Sequence, residues 1–326
     1  MKSCAALLGV AACCAAACTS TQADTPQTPV RIATTNGAIG RALTRLYNEH
    51  TSGVVASVTP PETSRFNLRA LQQRSADVAV VRADLAYAAY GRGTPLHPHP
   101  HDRLRGIAVM GMSLLHVVVR SDSSARSLAD LRGARVGLIS VSPDAQERMT
   151  REGDLGFYRT LLTSTGELGR DDIETVALNG GDLIDGLAAG RLAAGVVLAA
   201  RPVPAPIFGT MARNFNLRLL EIGTDAAARI RAQFPFYKPA LIPPGTYPGQ
   251  ERAVRTVGVD FLLACRADLP EDVVYGLVRT LFDPASGADG RNDIAESLDP
   301  LLASATPIPL HPGAARYYRE RELPHY

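Results

Sequence analysis

Apolar positions follow two rhythms that alternate along this chain: short unbroken runs, and longer stretches with apolar residues three or four apart. Val30 to Thr34 is such a run, and Ile39, Leu43, Leu46 and Tyr47 then follow at a spacing that puts them on one face of a helix. Val54 to Val58 reads as the next strand, Phe66 to Gln73 as a helix, Asp77 to Val81 as a buried strand and Asp84 to Tyr90 as another helix. Strand and helix in alternation predict a mostly parallel sheet flanked by helices.

A proline and histidine loop, His97 to His101, interrupts this order before a long apolar run, Ile107 to Val119, that has the length to cross from one lobe to another. Ser127 and Asp130 have the spacing of a capping box ahead of a short helix closed by Gly133. Arg135 to Ile139, Ile173 to Leu178 and Gly195 to Leu198 read as strands, with helices near Gly156 to Leu162 and Asp182 to Leu192. That is a second α/β unit. Leu217 to Ile222 and Val254 to Leu263 are expected to return to the first lobe, and Val274, Leu277, Val278 and Leu281 form the buried stripe of a late helix. The expected organisation is α/β, with lobe one from 30–119 and 217–326, lobe two from 120–216, and no internal sequence repeat. Such a clamp closes on a ligand about a hinge.

Length and charge narrow the classes. At 326 residues the chain exceeds a single core, which agrees with two lobes. Net charge is +2, and the basic residues, all Arg except Lys2 and Lys238, form no run, which argues against nucleic acid as a partner. The first residues differ from the rest: Lys2 precedes a small apolar run, Ala5 to Ala17, that suits an export signal. Cys4, Cys13, Cys14 and Cys18 lie there. Residues 1–18 are read as a lipoprotein-type signal with Cys18 as the lipidated residue, Cys13 as the competing position, and cleavage after Ala23 as the alternative without a lipid. A Thr, Gln and Pro-rich tether, 19–29, follows. The implied location is periplasmic, attached to a bacterial membrane through that lipid. Cys265, within an apolar strand, is read as core.

Two strings stand outside these rhythms. Phe-Pro-Phe-Tyr-Lys-Pro-Ala-Leu-Ile-Pro-Pro-Gly-Thr-Tyr-Pro-Gly-Gln spans Phe234 to Gln250, and Pro-Ile-Pro-Leu-His-Pro-Gly-Ala-Ala-Arg-Tyr-Tyr-Arg-Glu spans Pro307 to Glu320. The first is rich in proline and is expected to run as an extended, packed connection pinned by Phe234, Phe236 and Tyr237. Both resemble the signature of the TAXI receptors, which deliver solutes to TRAP-type permeases. The resemblance implies a two-lobed architecture of the periplasmic-binding-protein type II kind, no cofactor, and action as a monomer. It also implies a small organic anion as ligand, a C4 or C5 dicarboxylate, a glutamate-like compound or a 2-oxoacid.

In open α/β sheets, ligands collect beyond the carboxyl ends of the strands, where free amides at helix starts favour anions. Four loops meet that description. Thr35 and Asn36 follow the first strand in a turn shorter than the family's Gly-rich loop, and Asn36 also suits a simple helix cap. Ser64 and Arg65 precede the second helix, where Ser64 matches the family's serine and also suits a cap. Arg82 follows the third strand, where the family more often has glutamine; a guanidinium there grips a carboxylate through two parallel bonds, or else faces water at the rim. Ser140 and Ser142 stand where the family has a Gly-rich anion turn whose glycines are missing here.

These departures favour a second reading, a degenerate membrane-tethered receptor acting as an accessory sensor or interaction lipoprotein. An enzyme is not expected, since no paired nucleophile and base, Gly-x-Ser-x-Gly elbow or phosphate loop occurs. The His97, His99 and His101 series is read as connection, with no metal assigned.

Overall fold

The computed structural model describes residues 27–34, 37–59, 64–93, 98–139, 154–201, 209–211, 216–282 and 298–321. Its first part runs β1 (Thr28–Ala33), α1 (Gly37–His50), β2 (Val54–Val58), α2 (Ser64–Gln72), β3 (Val78–Arg82) and α3 (Ala83–Gly91). A long strand, β4 (Leu104–Arg120), leads to β5 (Ala134–Ile139), α4 (Asp154–Thr163), β6 (Ile173–Leu178), α5 (Gly180–Ala188) and β7 (Ala194–Arg201). Then come β8 (Leu217–Leu219), α6 (Thr224–Gln233), β9 (Tyr237–Ile242), a second long strand β10 (Val254–Arg266), α7 (Glu271–Phe282), α8 (Pro300–Ala303) and α9 (Pro312–Glu320). Between β4 and β5, the Ser127 and Asp130 side chains form the expected capping box on a short 3-10 turn.

Strand pairing resolves two halves of the same design. One has the order β2-β1-β3-β10 and the other β6-β5-β7-β4, each with three parallel strands closed by an antiparallel fourth. The closing strands β10 and β4 pair antiparallel with each other and so join the halves. This is a mixed α/β architecture of two like-ordered halves, as the alternation of strand and helix in the sequence predicts. The parallel strands are apolar because helices cover both faces of the sheet: Val78, Ala79 and Val81 of β3 are fully buried.

On one face of the first half, α1, α7 and α9 bury Leu43, Tyr47, Val274, Leu277, Tyr317 and Tyr318 against β1, β3 and β10. On the other face, one apolar cluster runs from Leu68 and Leu71 of α2 through Tyr237, Val257 and Val259 to Leu161 and Leu162 of α4. The halves therefore share packing. Between them lies a break in the ladder: the β4–β10 register shifts between Phe261 and Leu262, and Gly111, opposite Phe261, has φ 136°. That backbone suits glycine, and a bulge there lets the long strands bend between the halves.

One expectation is corrected and another is refined. The strand at Leu217 was expected to return to the first lobe, but β8 pairs with Val118–Arg120, and Leu217 and Leu219 pack with Leu183 and Leu187 of α5. Its short apolar pattern carries no information about which sheet edge it joins. The Phe234–Gln250 string, expected as an extended, packed connection, is extended in part as a regular strand, β9, paired with Val254–Val259 of β10. Proline is tolerated because β9 is bonded in the sheet to β10 alone, so Pro239 need not donate to a second neighbour. Gly245 and Gly249 then turn the chain at φ 71° and 77°.

The C-terminal string proves to be a helix docking device. The His311 ring accepts from the Gly313 amide at 3.2 Å and caps α9, with Pro312 at the first helical position, where its missing N–H costs nothing. A Cβ added at Gly313 would stand 2.2 Å from the Glu271 carbonyl oxygen, so only glycine lets α9 approach α7 this closely. Gly313→Ala is expected to cost about 2 kcal/mol by forcing the helices apart, read as a lower urea midpoint. An unchanged midpoint would show that the helix start yields freely.

Candidate functional site

The site grows from the way β10 exchanges partners along one edge. From Phe261 to Cys265 that edge pairs with β3, and from Val254 to Val259 it pairs with β9. Strand β3 ends at Arg82, opposite Phe261, and β9 begins at Tyr237, opposite Val259, so only Asp260 intervenes. Phe261 is also the residue opposite Gly111 at the ladder break. Arg82 therefore lies at the junction of the halves.

Arg82 is held in extended backbone, φ −71° and ψ 144°, immediately before α3. From there its side chain turns back onto the helix's first turn. Nε donates to Asp84 Oδ1 at 3.0 Å and Nη2 to Oδ2 at 2.9 Å, a parallel two-bond fork. The two side chains are only 16% and 19% exposed, which keeps water from competing with the pair. Burial opposes the Arg82 charge, but Asp84, Tyr237 and Tyr158 outweigh it and hold the guanidinium above its ordinary pKa. Tyr158 comes from α4 of the second half, so both halves contribute to the environment of one arginine.

Tyr237 is fully buried, and burial pushes its hydroxyl well above the usual tyrosine pKa although Arg82 pulls the other way. At neutral pH it therefore stays protonated. Beside it, Lys238 Nζ donates to Asp260 Oδ2 at 2.6 Å. Phe236 packs on Tyr87 with ring centroids 5.1 Å apart, and Phe234 meets Tyr237 edge-on at 6.1 Å. The junction is thus aromatic, with two cations that each carry a carboxylate partner. Chemically it can orient a polar or planar molecule, and burial holds the Tyr237 hydroxyl neutral, unsuited to proton abstraction.

Of the residues expected from sequence to touch a ligand, Arg82 alone has a described side chain, and its fork faces Asp84. Thr35, Asn36, Ser140 and Ser142 lie outside the described residues, as does Cys18; Ser64 and Arg65 open α2, but their side chains are also outside them. The strands preceding these positions are β1, which stops at Ala33, and β5, which stops at Ile139. Asp84 is the second residue of α3, and its carboxylate accepts from Arg82. Tyr237 of the proline-rich string lies close enough to Arg82 to bias its charge. The Arg-x-Asp spacing was the available signal for the pair. Nothing local announced Tyr158.

Cys265 is fully buried in β10 and burial pushes its thiol above the ordinary range, as a core residue requires. Among the described residues no cluster of three or more His, Cys, Asp and Glu side chains could hold a metal ion. Among the same residues no helix is long and apolar enough to cross a membrane.

Solved structures of similar architecture include the periplasmic aliphatic sulphonate binding protein SsuA from Escherichia coli, at 16% identity over 91% of this chain and 88% of that one, with a TM-score of 0.46. A putative periplasmic sulfonate-binding protein from Methylobacillus flagellatus KT matches at 15% identity over 82% and 71%, TM-score 0.44. A ligand binding component of an ABC-type import system from Staphylococcus aureus matches at 12% identity over 92% and 95%, TM-score 0.48. Likeness at this level says nothing of which ligand is bound. The family model of the NMT1-like family matches residues 33–321, nearly all of the chain beyond its N-terminal segment. This protein belongs to the NMT1-like family.

Proposed function

We propose that the protein is an exported receptor that captures a small organic anion between its two lobes and hands it to a membrane permease. The observation that carries this reading is the pairing of two like-ordered half-sheets by β4 and β10, with the ladder break at Gly111 and Phe261 between them. A bend at that break changes the distance between the carboxyl ends of the parallel strands, which is the motion of a clamp. The resemblance of the two proline-rich strings to TAXI receptors supports a TRAP-type permease as the recipient and a C4 or C5 carboxylate, glutamate-like or 2-oxoacid ligand. Thr35, Asn36, Ser64, Ser140 and Ser142 are its proposed polar contacts, and Arg82 and Arg65 its charged ones. The lobes are proposed to act as one monomer held in the periplasm by a lipid on Cys18.

Calorimetry on protein freed of carried-over solute, across C4 and C5 dicarboxylates, glutamate and 2-oxoacids, tests the ligand class. Binding of at least one member is expected, and silence across the panel would remove the carboxylate reading. Where a carboxylate binds, Arg82→Ala should weaken it by about tenfold or more, the size of a lost charge-assisted contact. Unchanged affinity would take Arg82 out of the site.

A further inference from the structure

The Arg82 fork in this structure already grips a carboxylate, that of Asp84, by the two parallel bonds a ligand carboxylate would use. We propose that Asp84 is a specificity-determining residue: its side chain occupies the Arg82 fork as a ligand carboxylate would, and an incoming carboxylate must displace it. This rests on the reading of Arg82 as a charged contact of the ligand and deepens it.

Three features of the junction support the idea. Asp84 is two residues from Arg82 on the rigid first turn of α3, so the pair forms without long-range rearrangement and re-forms when a ligand leaves. Arg82 sits in the row Arg82, Phe261, Gly111 that crosses the ladder break, where bending of the two halves acts on it most directly. Tyr158, from the second half, lies near enough to bias the Arg82 charge, so the environment of the pair changes when the halves move relative to one another.

A resident carboxylate makes the site selective. A weak monoanion gains little by replacing one carboxylate with another, whereas a ligand with further polar contacts outcompetes Asp84. Removing the Asp84 charge, while keeping its shape, therefore raises affinity and lowers discrimination. A partner that merely holds the fold predicts the opposite, lower thermal stability and no gain in binding.

The test compares wild type, Asp84→Asn, Arg82→Gln and the double variant, all freed of solute, titrated with succinate, glutarate, 2-oxoglutarate, glutamate and acetate. Asp84→Asn is expected to bind the best carboxylate about tenfold more tightly than wild type and to acquire measurable acetate binding, with both gains lost in the double variant. If wild type binds a carboxylate and Asp84→Asn leaves that affinity unchanged or weaker, the displacement is overturned while the receptor reading stands. A gain that survives in the double variant also overturns it, because the gain then does not run through Arg82. If none of the proteins binds any carboxylate, the ligand class falls and the displacement with it. Melting curves of all four show whether each variant is folded at the titration temperature; should Asp84→Asn be unfolded, Asp84→Ser is used with the same expected gain.

Discussion

Asp77→Ala is expected to destabilise the protein by about 3–5 kcal/mol, nearer the lower figure. Asp77 precedes β3 at the end of the sheet remote from Arg82, and its carboxylate is only 6% exposed. It accepts from the Arg31 amide at 2.9 Å, from Arg31 Nε at 2.8 Å and Nη2 at 3.0 Å, and from Arg266 Nη1 at 2.5 Å. One carboxylate thus ties β1 to β3 and β10. Burial alone would raise its pKa, yet the hydrogen bonds from Arg31 and Arg266 overcome that and hold it below the usual carboxylate value.

Removing Asp77 strands Arg266, whose side chain is 14% exposed, and leaves the Arg31 amide without its acceptor. The loss is moderated because Arg266 keeps Asp268 at 2.9 Å and the Ala76 carbonyl at 3.0 Å, while Arg31 is 42% exposed and can turn to water. Urea unfolding should show the midpoint fall with little change in slope. A loss under about 1 kcal/mol would mean that the arginines relax into water and the network adds little.

The second large effect is a pH dependence set by His116. This residue lies in the middle of β4, 2% exposed, with Nδ1 2.9 Å from the Leu114 carbonyl and Nε2 2.9 Å from the Tyr247 hydroxyl. Since a carbonyl only accepts, Nδ1 carries the hydrogen, and neutral Nε2 accepts from Tyr247. Burial pushes the His116 pKa down to about 4, the backbone contacts opposing it only in part. The unfolded chain, with an ordinary pKa of 6.5, binds the proton that the folded one refuses. Stability is therefore fully present above pH 6.5 and declines as pH falls towards 4, by a total of about 3 kcal/mol.

His311, also buried and lowered, acts in the same direction, so the assignment needs a variant. His116→Gln should be less stable than wild type at pH 7.5, with the difference shrinking as pH falls from 6.5 to 4. Asp77, whose pKa is lowered from 3.8, acts mainly below that window and is common to both proteins, so their difference isolates His116. Parallel stability curves for wild type and His116→Gln would show that His116 does not titrate on unfolding.

The His116–Tyr247 pair also shows where sequence reading ran out. Tyr247 belongs to the proline-rich string, and the string's role proves to be tertiary: β9 supplies an edge strand, Tyr237 abuts Arg82, and Tyr247 satisfies a buried histidine 131 residues away. None of these partners is near in sequence, so no periodicity encodes them. The Arg82–Asp84 pair was within reach of local inspection, because a two-residue spacing across a strand end brings the side chains together. It was missed because a carboxylate at a helix start has a common second use as a cap.

What the sequence determined was the series of elements. Runs of β-branched residues fix strands, and apolar positions three and four apart fix helix faces, because burial acts on each segment's own side chains; α1, β2, β3 and β6 follow from that alone. The alternation of the two also fixed the α/β class and the long crossing run that became β4. Only the tertiary structure decided which edge each strand joins: β8 went to the far end of β4 rather than to the first half, and β9 took the place on β10 where β3 stops. Backbone hydrogen bonds across a sheet are blind to side-chain identity, so edge choice follows from the packing of the whole chain. The same packing brought Tyr158, Tyr237 and Arg82 together, and with them the chemistry of the junction.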